Sequence, residues 1–128
     1  MPEILLIDTD VLIDYLRSQA DAVAFLESLT NPFLISAISV AELYSGVREG
    51  KERKALELFI SAFEQVPVTE KIAVEGGLYR RDFGKSHGVG LPDALIAATA
   101  ESRGATLVTL NKKHFPMLAT VEVPYLKR

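Results

Sequence analysis

Five side chains that carry oxygen ligands lie where the ends of buried strands would bring them together. Asp8 and Asp10 follow the first apolar segment of the chain, and Glu42 comes soon after the second. Asp93 precedes the last clear apolar segment, and Asn111 follows it. Carboxylates held in one place repel each other unless a cation neutralises them, and oxygen ligands without Cys or His suit Mg²⁺ or Mn²⁺ better than zinc. The residue types therefore predict an acidic site for Mg²⁺ or Mn²⁺ that leaves open positions for a phosphate.

Each of these acids also has a purely structural explanation. Ser39 and Glu42 fit the S-x-x-E capping box, in which the glutamate only binds backbone N–H groups. Asp93 would be favoured by the dipole in the first turn of a helix, and Asp8 can cap the helix that follows its strand. Capping explains each acid separately, but it does not readily explain why an acid is present at each of three predicted strand ends. The joint pattern therefore favours the metal site.

The elements that must position these residues alternate between strands and helices. Apolar runs predict strands at 4–7, 33–35 and 106–110, a brief extended piece at 66–68 and a short edge strand at 121–123. Helical spacing predicts helices near 11–16 and 23–29, from Ser39 to Gly50, and at 51–63, 69–83 and 91–104. This alternation predicts an α/β fold with a central, mostly parallel sheet and helices on both faces. Ligand sites of such sheets lie beyond the carboxyl ends of the strands.

Three local features carry further expectations. Asp10 and Asp14 are four residues apart, a spacing typical of a solvated helix face, although Asp10 is close enough to touch a metal. The segment 84–90 contains three glycines and a histidine, so we expect a loop there that, like Gly50, is mobile. Four apolar residues of the early helices either pack in the core or contact a partner, namely Tyr15, Leu16, Leu43 and Tyr44.

The composition is that of an ordinary globular protein. The chain has 128 residues, 48% of them hydrophobic, and a formal net charge of −3, so we expect one domain spanning 1–128. The absence of cysteine excludes disulfides, Cys-based zinc sites, iron–sulfur clusters and a thiol nucleophile. No apolar run is long enough to span a bilayer and no secretory signal is visible, so we expect a cytoplasmic protein with no membrane contact.

Four segments of the sequence resemble those of PIN-domain proteins in their order and spacing. They read ILLIDTDVLIDYL, ISAISVAELYSGV, GLPDALIAATA and LVTLNKKHF. The sequence is most similar to the VapC toxins of bacterial and archaeal toxin–antitoxin pairs, and the resemblance runs from about residue 4 to residue 115. It implies a single PIN-like domain with a three-layer fold.

The resemblance implies an endoribonuclease that depends on Mg²⁺ or Mn²⁺ and hydrolyses RNA phosphodiester bonds. By motif position Asp8 matches the first acid of the family, Glu42 the second and Asp93 the third. Asn111 matches the fourth position, where the family carries Asp or Asn, and these four are the implied catalytic residues. Asp8 and Asp93 are the implied ligands of a single Mg²⁺, with Glu42 acting directly or through water. His114 stands where the family frequently has Asp, which departs from a full set of four carboxylates.

Supporting residues and partners also follow from the resemblance. Ser39 and Thr109 match hydroxyl positions that would orient the metal ligands, and Asp10 is the third supporting residue. The alternative roles are a helix N-cap for Ser39 and an ordinary strand residue for Thr109. The implied partners are an RNA substrate, a cognate VapB-like antitoxin that occupies the toxin's groove, and a second copy in a homodimer. The residues that bind the substrate are not assigned, and three basic groups are available: Arg48, Lys51, Arg53 and Lys54; Arg80, Arg81, Lys85 and His87; Lys112 and Lys113.

Three other functions fit parts of the sequence. A PIN fold that has lost catalysis would serve as a binding module, although three carboxylates and an amide remain in place. Asp-Thr-Asp at residues 8–10 mimics the D-x-D nucleophile motif of haloacid-dehalogenase-like phosphatases, but the chain is short for that fold. A receiver domain would need a central phosphoacceptor Asp, and no Asp lies between Asp21 and Asp82.

Overall fold

The computed structural model describes residues 2–127 and shows strands that alternate with helices. The strands are β1 (Leu5–Ile7), β2 (Phe33–Ser36), β3 (Glu64–Val66), β4 (Thr106–Val108) and β5 (Val121–Glu122). The helices are α1 (Thr9–Leu16), α2 (Ala20–Ser28), α3 (Ala37–Ser45), α4 (Lys51–Ser61), α5 (Glu70–His87) and α6 (Leu91–Arg103), and a 3₁₀ turn spans Lys112–His114. Within the described residues, no helix is both long and apolar enough to cross a membrane.

All five strands pair in one parallel sheet. Their spatial order is β3-β2-β1-β4-β5, and every neighbouring pair is parallel. β1 lies in the centre, with Leu6 opposite Leu34 of β2. The predicted mostly parallel sheet is therefore confirmed. Because the strands point the same way, the residues that close β1, β2 and β4 meet at one edge, which we call the carboxyl edge (Asp8, Ser36 and Thr109).

Helices cover both faces of the sheet, as the sequence predicted. Successive side chains of a strand point to opposite faces, and Leu5 and Ile7 pack with helices α1–α4 whereas Leu6 packs with α5 and α6. Burying one such aliphatic side chain stabilises the fold by about 1.5–3 kcal/mol. The helix residues that anchor the first face are Val11, Leu26, Leu43, Leu56 and Ile60, and those that anchor the second are Ile72, Ile96 and Ala97.

Helix α3 begins earlier than the sequence indicated. Ser36, the last residue of β2, is its N-cap and accepts a hydrogen bond from the backbone N–H of Ile38 at 3.0 Å. The prediction that Ser39 opens the helix is wrong, because β2 continues into α3 without a loop between them. Glu42 consequently lies in the second turn, so the capping-box explanation of its carboxylate is wrong as well.

The end of α3 also differs from the prediction. The helix ends at Ser45, and Gly46 is its C-cap, so Gly50 does not end it. Gly50 instead precedes α4 as its N-cap with a φ of +94°, a backbone conformation that favours glycine.

Helix α5 extends into the segment 84–90, which the sequence indicated as a loop. The helix begins near the predicted position, with Thr69 as its N-cap, but it continues to His87, and Gly88 ends it with a φ of +64°. The loop prediction is therefore wrong for the first half of that segment. Gly84 lies inside the helix. The guanidinium of Arg80, one turn earlier, occupies the space that a side chain at Gly84 would need.

Candidate active site

Asp8 lies at the centre of the carboxyl edge, directly after β1. It caps α1 and is almost fully buried, with 5% of its surface exposed. Its Oδ1 accepts a hydrogen bond from the backbone N–H of Thr9 at 2.8 Å, and its Oδ2 accepts one from the hydroxyl of Thr109 at 2.7 Å. Donors from two elements therefore hold the carboxylate in one orientation. Asp8 therefore caps α1, as the sequence allowed, and also accepts a hydrogen bond from Thr109 at the end of β4.

Asp10 faces the end of β4. Its Oδ2 accepts hydrogen bonds from the backbone N–H of Leu110 and from the side-chain amide of Asn111, each at 3.0 Å. Asn111 in turn donates its backbone N–H to the hydroxyl of Thr109 at 3.1 Å. Three of the predicted site residues, Asp10, Thr109 and Asn111, thus form one connected group with Asp8.

Thr9 links the end of β1 to helix α3. Its hydroxyl oxygen lies 2.8 Å from Oε1 of Glu42 and 2.8 Å from Oγ of Ser39. A hydroxyl has one proton and a carboxylate can only accept, so Thr9 donates to Glu42 and accepts from Ser39. Ser39 is fully buried, and it supports the site through Thr9. The contact holds the Glu42 carboxylate beside α1 while the residue stays exposed at the surface.

Asp93 reaches the site from the opposite face of the sheet. It lies in the first turn of α6, as predicted, directly after Pro92. Its Oδ2 is 3.5 Å from Nδ1 of His114, which belongs to the 3₁₀ turn that follows β4. His114 is partly exposed at the surface, and it also contacts the third predicted acid.

Burial and neighbouring acids raise the pKa of Asp8 and of Asp93. Burial is the largest cause at Asp8 and the field of Asp10 is the next, and together they raise the pKa of Asp8 to about 7 against two opposing hydrogen bonds. Burial also raises the pKa of Asp10. At Asp93 burial again raises the pKa, a neighbouring histidine opposes the rise, and the fields of Glu42 and Asp10 add to it. Asp8 and Asp93 therefore lie within the electrostatic field of the other acids, although these residues come from three different elements.

The chemistry of this donor set fits a hard divalent cation. Asp8, Glu42 and Asp93 offer carboxylate oxygens, and a cation relieves the repulsion that their shared field creates. Across residues 2–127, no three His, Cys, Asp or Glu side chains are grouped closely enough to form a ready-made metal cage. Hydroxyl and amide donors hold Asp8, Asp10 and Glu42 instead. Each oxygen of the Asp8 carboxylate accepts one hydrogen bond and keeps a second lone pair for a cation.

Asp14 does not lie on a solvated helix face, and that prediction is wrong. Only 4% of its side chain is exposed, and its carboxylate accepts hydrogen bonds from the Tyr125 hydroxyl at 2.9 Å and the Lys127 ammonium at 2.7 Å. Burial acts to raise the pKa of Asp14, but the hydrogen bonds from Lys127 and Tyr125 outweigh it and the pKa is lowered. Asp10, the other residue of the predicted face, is turned towards β4.

Two contributors to the site have little or no sequence signal. Thr9 lies between two acids at the end of a buried strand, where a polar side chain needs a hydrogen-bond partner, and that position is its one signal. Leu110 contributes only its backbone N–H, which it donates to Asp10. No residue type or spacing marks a backbone donor, so Leu110 is found only in the structure.

The sequence matches one known family over nearly its whole length. Residues 5–119 match the family described as PIN domain, so the chain belongs to the PIN-domain family. The resemblance carried by the four segments and the fold it implied are therefore confirmed. Because the chain belongs to the PIN-domain family, it is neither a haloacid-dehalogenase-like phosphatase nor a receiver domain.

Relatives within this family are similar across most of both chains. Ribonuclease VapC10 of Mycobacterium tuberculosis is 40% identical over 124 residues, which cover 94% of this chain and 92% of the relative. Ribonuclease VapC19 of the same organism is 44% identical over 124 residues, which cover 94% and 98%. Among solved structures, a toxin–antitoxin complex from Klebsiella pneumoniae matches with a TM-score of 0.83 at 28% identity, covering 96% of this chain and 99% of that one.

Proposed function

We propose that this protein is a metal-dependent endoribonuclease and the toxin of a toxin–antitoxin pair. The observation that carries the proposal is the electrostatic interaction of Asp93 with Asp8 and with Glu42 at the carboxyl edge of a PIN-family sheet. Similarity to the ribonucleases VapC10 and VapC19 and to a toxin–antitoxin complex supports the same activity and setting. The substrate is RNA, and the reaction is hydrolysis of its phosphodiester bonds.

Asp8 and Asp93 are the proposed ligands of one Mg²⁺ or Mn²⁺, with Glu42 acting on the same ion directly or through water. When bound, the ion supplies a water of lowered pKa and offsets negative charge on the phosphoryl oxygens. Asp8 suits this role because the Thr109 hydroxyl and a backbone N–H fix its orientation in advance. Its raised pKa shows that the ionised carboxylate is unfavourable without a positive charge nearby.

Glu42 is the proposed acceptor of a proton from the attacking water. Its carboxylate is exposed at the carboxyl edge, and the Thr9 hydroxyl orients it through one oxygen. Asn111 is the proposed hydrogen-bond donor to the phosphate. A side-chain amide has two N–H protons, so Asn111 can donate one to Asp10 and the other to a phosphate oxygen.

The proposed antitoxin is VapB-like and occupies a groove of about 510 Å³ between α1, α3 and α4. Glu42 lines this groove together with Leu16 and Leu43, two of the apolar residues that the sequence offered for partner contacts. Leu16 is 41% exposed, whereas Leu43 is largely buried in the core. A segment bound there would cover Glu42 and exclude RNA.

Three further features belong to the proposal. We propose a homodimer, a single domain that spans residues 1–128, and a cytoplasmic location. RNA and an antitoxin meet a toxin in that compartment, which supports the location. The PIN-family match over residues 5–119 supports the single domain.

The test is cleavage of structured and unstructured RNAs by protein that has been freed of antitoxin. The wild-type protein is expected to cut RNA in Mg²⁺ or Mn²⁺ and to stop in EDTA. Asp8→Asn and Glu42→Gln are each expected to lower the rate by about 100-fold or more. Glu101→Gln is the matched control, because it removes an exposed carboxylate at the far end of α6 from Asp93.

The outcomes separate the proposal from its alternatives. Cutting that survives both Asp8→Asn and Glu42→Gln, in proteins that remain folded, would place the nuclease site elsewhere or identify a contaminant. Metal binding without cleavage of any RNA would favour the catalytically silent binding module.

A further inference from the structure

A second groove, distinct from the one beside Glu42, lies between the 3₁₀ turn that follows β4, the start of β5 and the end of α5. It has a volume of about 540 Å³ and combines an apolar surface with three basic side chains. No acidic residue is part of its lining among residues 2–127. We call it the basic groove, and its lining consists of His87, Lys112, Lys113, Phe115, Pro116, Leu118 and Val121.

The 3₁₀ turn that carries the two lysines is attached to the acids at both ends. Asn111, just before the turn, donates to Asp10 at 3.0 Å, and His114, its last residue, lies 3.5 Å from Asp93. A 3₁₀ turn rises by only about 2 Å per residue. Both lysines therefore lie between two residues that contact Asp10 and Asp93, so the turn that lines the basic groove is also attached to the acidic site.

The two lysines of the basic groove are not neutralised by ion pairs with carboxylates of residues 2–127. Lys112 and Lys113 are exposed, and neither forms an ion pair with a carboxylate in the part of the chain that the structure describes. One residue in each of the other two basic groups differs in this respect. Arg53 is paired with two glutamates, and Arg81 is paired with the aspartate that follows it.

The groove beside Glu42 does not have a net positive charge comparable with that of the basic groove. Arg17 and Arg48 contribute to its lining, but Glu42 and Glu52 do so as well, and the charges balance in number. Glu52 also accepts a hydrogen bond from the backbone N–H of Arg48 at 3.0 Å. The basic groove is thus the one of the two that presents net positive charge beside the acids.

His87 lines the basic groove from a separate element, the end of α5. Its Nδ1 lies 2.7 Å from Oγ of Ser86, and its ring packs edge-on against Phe83 with the ring centroids 5.8 Å apart. These contacts hold the imidazole in place beside the flexible lysine side chains. The groove therefore combines the fixed imidazole ring of His87 with the positive charges of two flexible lysine side chains.

We propose that the basic groove binds the sugar–phosphate backbone of RNA on one side of the bond to be cut. This inference rests on the proposed function and adds a substrate-binding site to it. Carboxylates of the acidic site repel the phosphates of an approaching strand, and Lys112 and Lys113 offset that repulsion by binding the flanking phosphates. Lysines act as point charges and do not read base edges. The groove therefore binds RNA of any sequence.

The test measures binding of a fluorophore-labelled, mixed-sequence, single-stranded RNA of about 20 nucleotides in EDTA, where cleavage does not compete. Lys112→Gln/Lys113→Gln is expected to bind about 10-fold more weakly at moderate salt. Its plot of log affinity against log salt is expected to flatten by about 1.4, since each lost contact with single-stranded RNA removes about 0.7 from the slope. The matched control is Lys51→Gln/Lys54→Gln on α4, which removes the same charge and is expected to stay within about 2-fold of wild type.

Cleavage supplies a second measurement. With an RNA that the wild-type protein cuts, Lys112→Gln/Lys113→Gln is expected to raise KM by about 10-fold and to leave kcat nearly unchanged. Lys112→Arg/Lys113→Arg keeps both positive charges and is expected to retain the wild-type KM. A loss of folding in Lys112→Gln/Lys113→Gln would instead lower the apparent kcat, because less of the enzyme is active, and would leave KM unchanged.

The results distinguish this inference from the proposed nuclease. If the wild-type protein does not bind mixed-sequence RNA even at low salt, or if both Gln double variants lose binding equally, the basic groove is not a backbone site. Binding that depends on Lys112 and Lys113 without any cleavage would uphold the groove and contradict the nuclease. Unchanged RNA binding together with lost binding of poly-glutamate would overturn the inference and assign the groove to an acidic protein segment.

Discussion

The hydroxyl groups of two threonines orient the acids of the candidate site. Thr109 donates to Asp8 at 2.7 Å, and Thr9 donates to Glu42 at 2.8 Å. A carboxylate without a fixed donor samples several rotamers, whereas a buried hydroxyl restricts it to one. The geometry of the acids therefore depends on residues that need not touch the substrate.

Thr9→Val tests this dependence because it removes the hydroxyl and keeps the branched shape. Glu42 then loses its donor, and the buried hydroxyl of Ser39 loses a partner. RNA cleavage at saturating Mg²⁺ is expected to slow by about 10-fold or more. Thr9→Ser retains the hydroxyl and is expected to stay within about 3-fold of wild type. Equal losses in the two variants would assign the effect to the methyl group instead.

The raised pKa of Asp8 makes stability depend on pH. The folded protein keeps a proton on Asp8 up to about pH 7, whereas the unfolded chain releases it near the ordinary pKa of 3.8. The unfolded state thus binds fewer protons between these values, and the contribution of Asp8 to stability falls as the pH rises through this window. Asp8→Asn carries no charge, so in EDTA it is expected to be about 1–3 kcal/mol more stable than wild type near pH 8.

Urea denaturation in EDTA at two pH values checks this expectation. The advantage of Asp8→Asn is expected to shrink towards pH 4, where the wild-type carboxyl is protonated in the folded state. Glu101→Gln, which changes an exposed carboxylate, is expected to show no such pH-dependent difference. An advantage of the same size at both pH values would contradict the account of Asp8.

Helix α5 packs against α6 through a glycine. A Cβ atom at Gly76 would lie 2.5 Å from Cδ2 and 3.2 Å from Cα of Leu95, whereas a Cβ at Gly77 meets no atom within 4 Å. Gly76 is buried and Gly77 is exposed. The close approach of the two helices therefore depends on the absence of a side chain at Gly76.

Gly76→Ala and Gly77→Ala form a matched pair. Both substitutions gain about 1 kcal/mol of helix propensity, but only Gly76→Ala inserts a methyl group between the helices, which costs about 1–3 kcal/mol. Gly77→Ala is expected to be at least as stable as wild type, and Gly76→Ala to be about 1–3 kcal/mol less stable than Gly77→Ala. Thermal and urea denaturation measure the difference. Equal stability of the two variants would show that the helices are not closely packed there.

Most strands and helices follow from the sequence because apolar runs and capping residues are local signals. Helix α3 shows where such signals fail. Ser36 and Ser39 both follow an apolar segment, and the S-x-x-E pattern favours the second, yet β2 leads straight into the helix from the first. Gly84 shows another limit, since a glycine-rich segment indicates a loop although the helix continues through it.

Contacts between distant parts of the chain decide what surrounds the site. The acids at the carboxyl edge could be predicted because a parallel sheet collects its strand ends at one edge. Asp14 could not, because Tyr125 and Lys127, which bury it, are 111 and 113 residues away. Local spacing contains no information about such a contact. The C-terminal segment thereby holds helix α1, which carries Thr9 and Asp10.

Tyr125→Phe removes one of the two donors to Asp14. The variant is expected to be about 1–2 kcal/mol less stable than wild type at pH 7, because a buried carboxylate loses a hydrogen bond. The lowered pKa of Asp14 means that this stabilisation is present above the ordinary pKa and is lost as the pH falls below it. Urea denaturation at pH 7 and near pH 3 is expected to show the difference shrinking at the lower pH.

Tyr44→Phe is the matched control for this substitution. Tyr44 lies on α3 and packs partly against the same core as Tyr125. Its loss of a hydroxyl is expected to change stability by less than about 0.5 kcal/mol at either pH. A pH-independent cost of Tyr125→Phe would show that its hydroxyl does not act through Asp14.

The metal dependence of RNA cleavage tests the central claim most directly. Cleavage rates are measured against Mg²⁺ concentration for the wild-type protein, Asp93→Asn and the control Glu101→Gln. If Asp93 and Asp8 hold the ion, the wild-type protein and Glu101→Gln saturate at the same concentration, while Asp93→Asn requires at least about 10-fold more Mg²⁺. Cleavage that persists in EDTA, or a Mg²⁺ dependence that Asp93→Asn leaves unchanged, would contradict a metal-dependent site at the carboxyl edge.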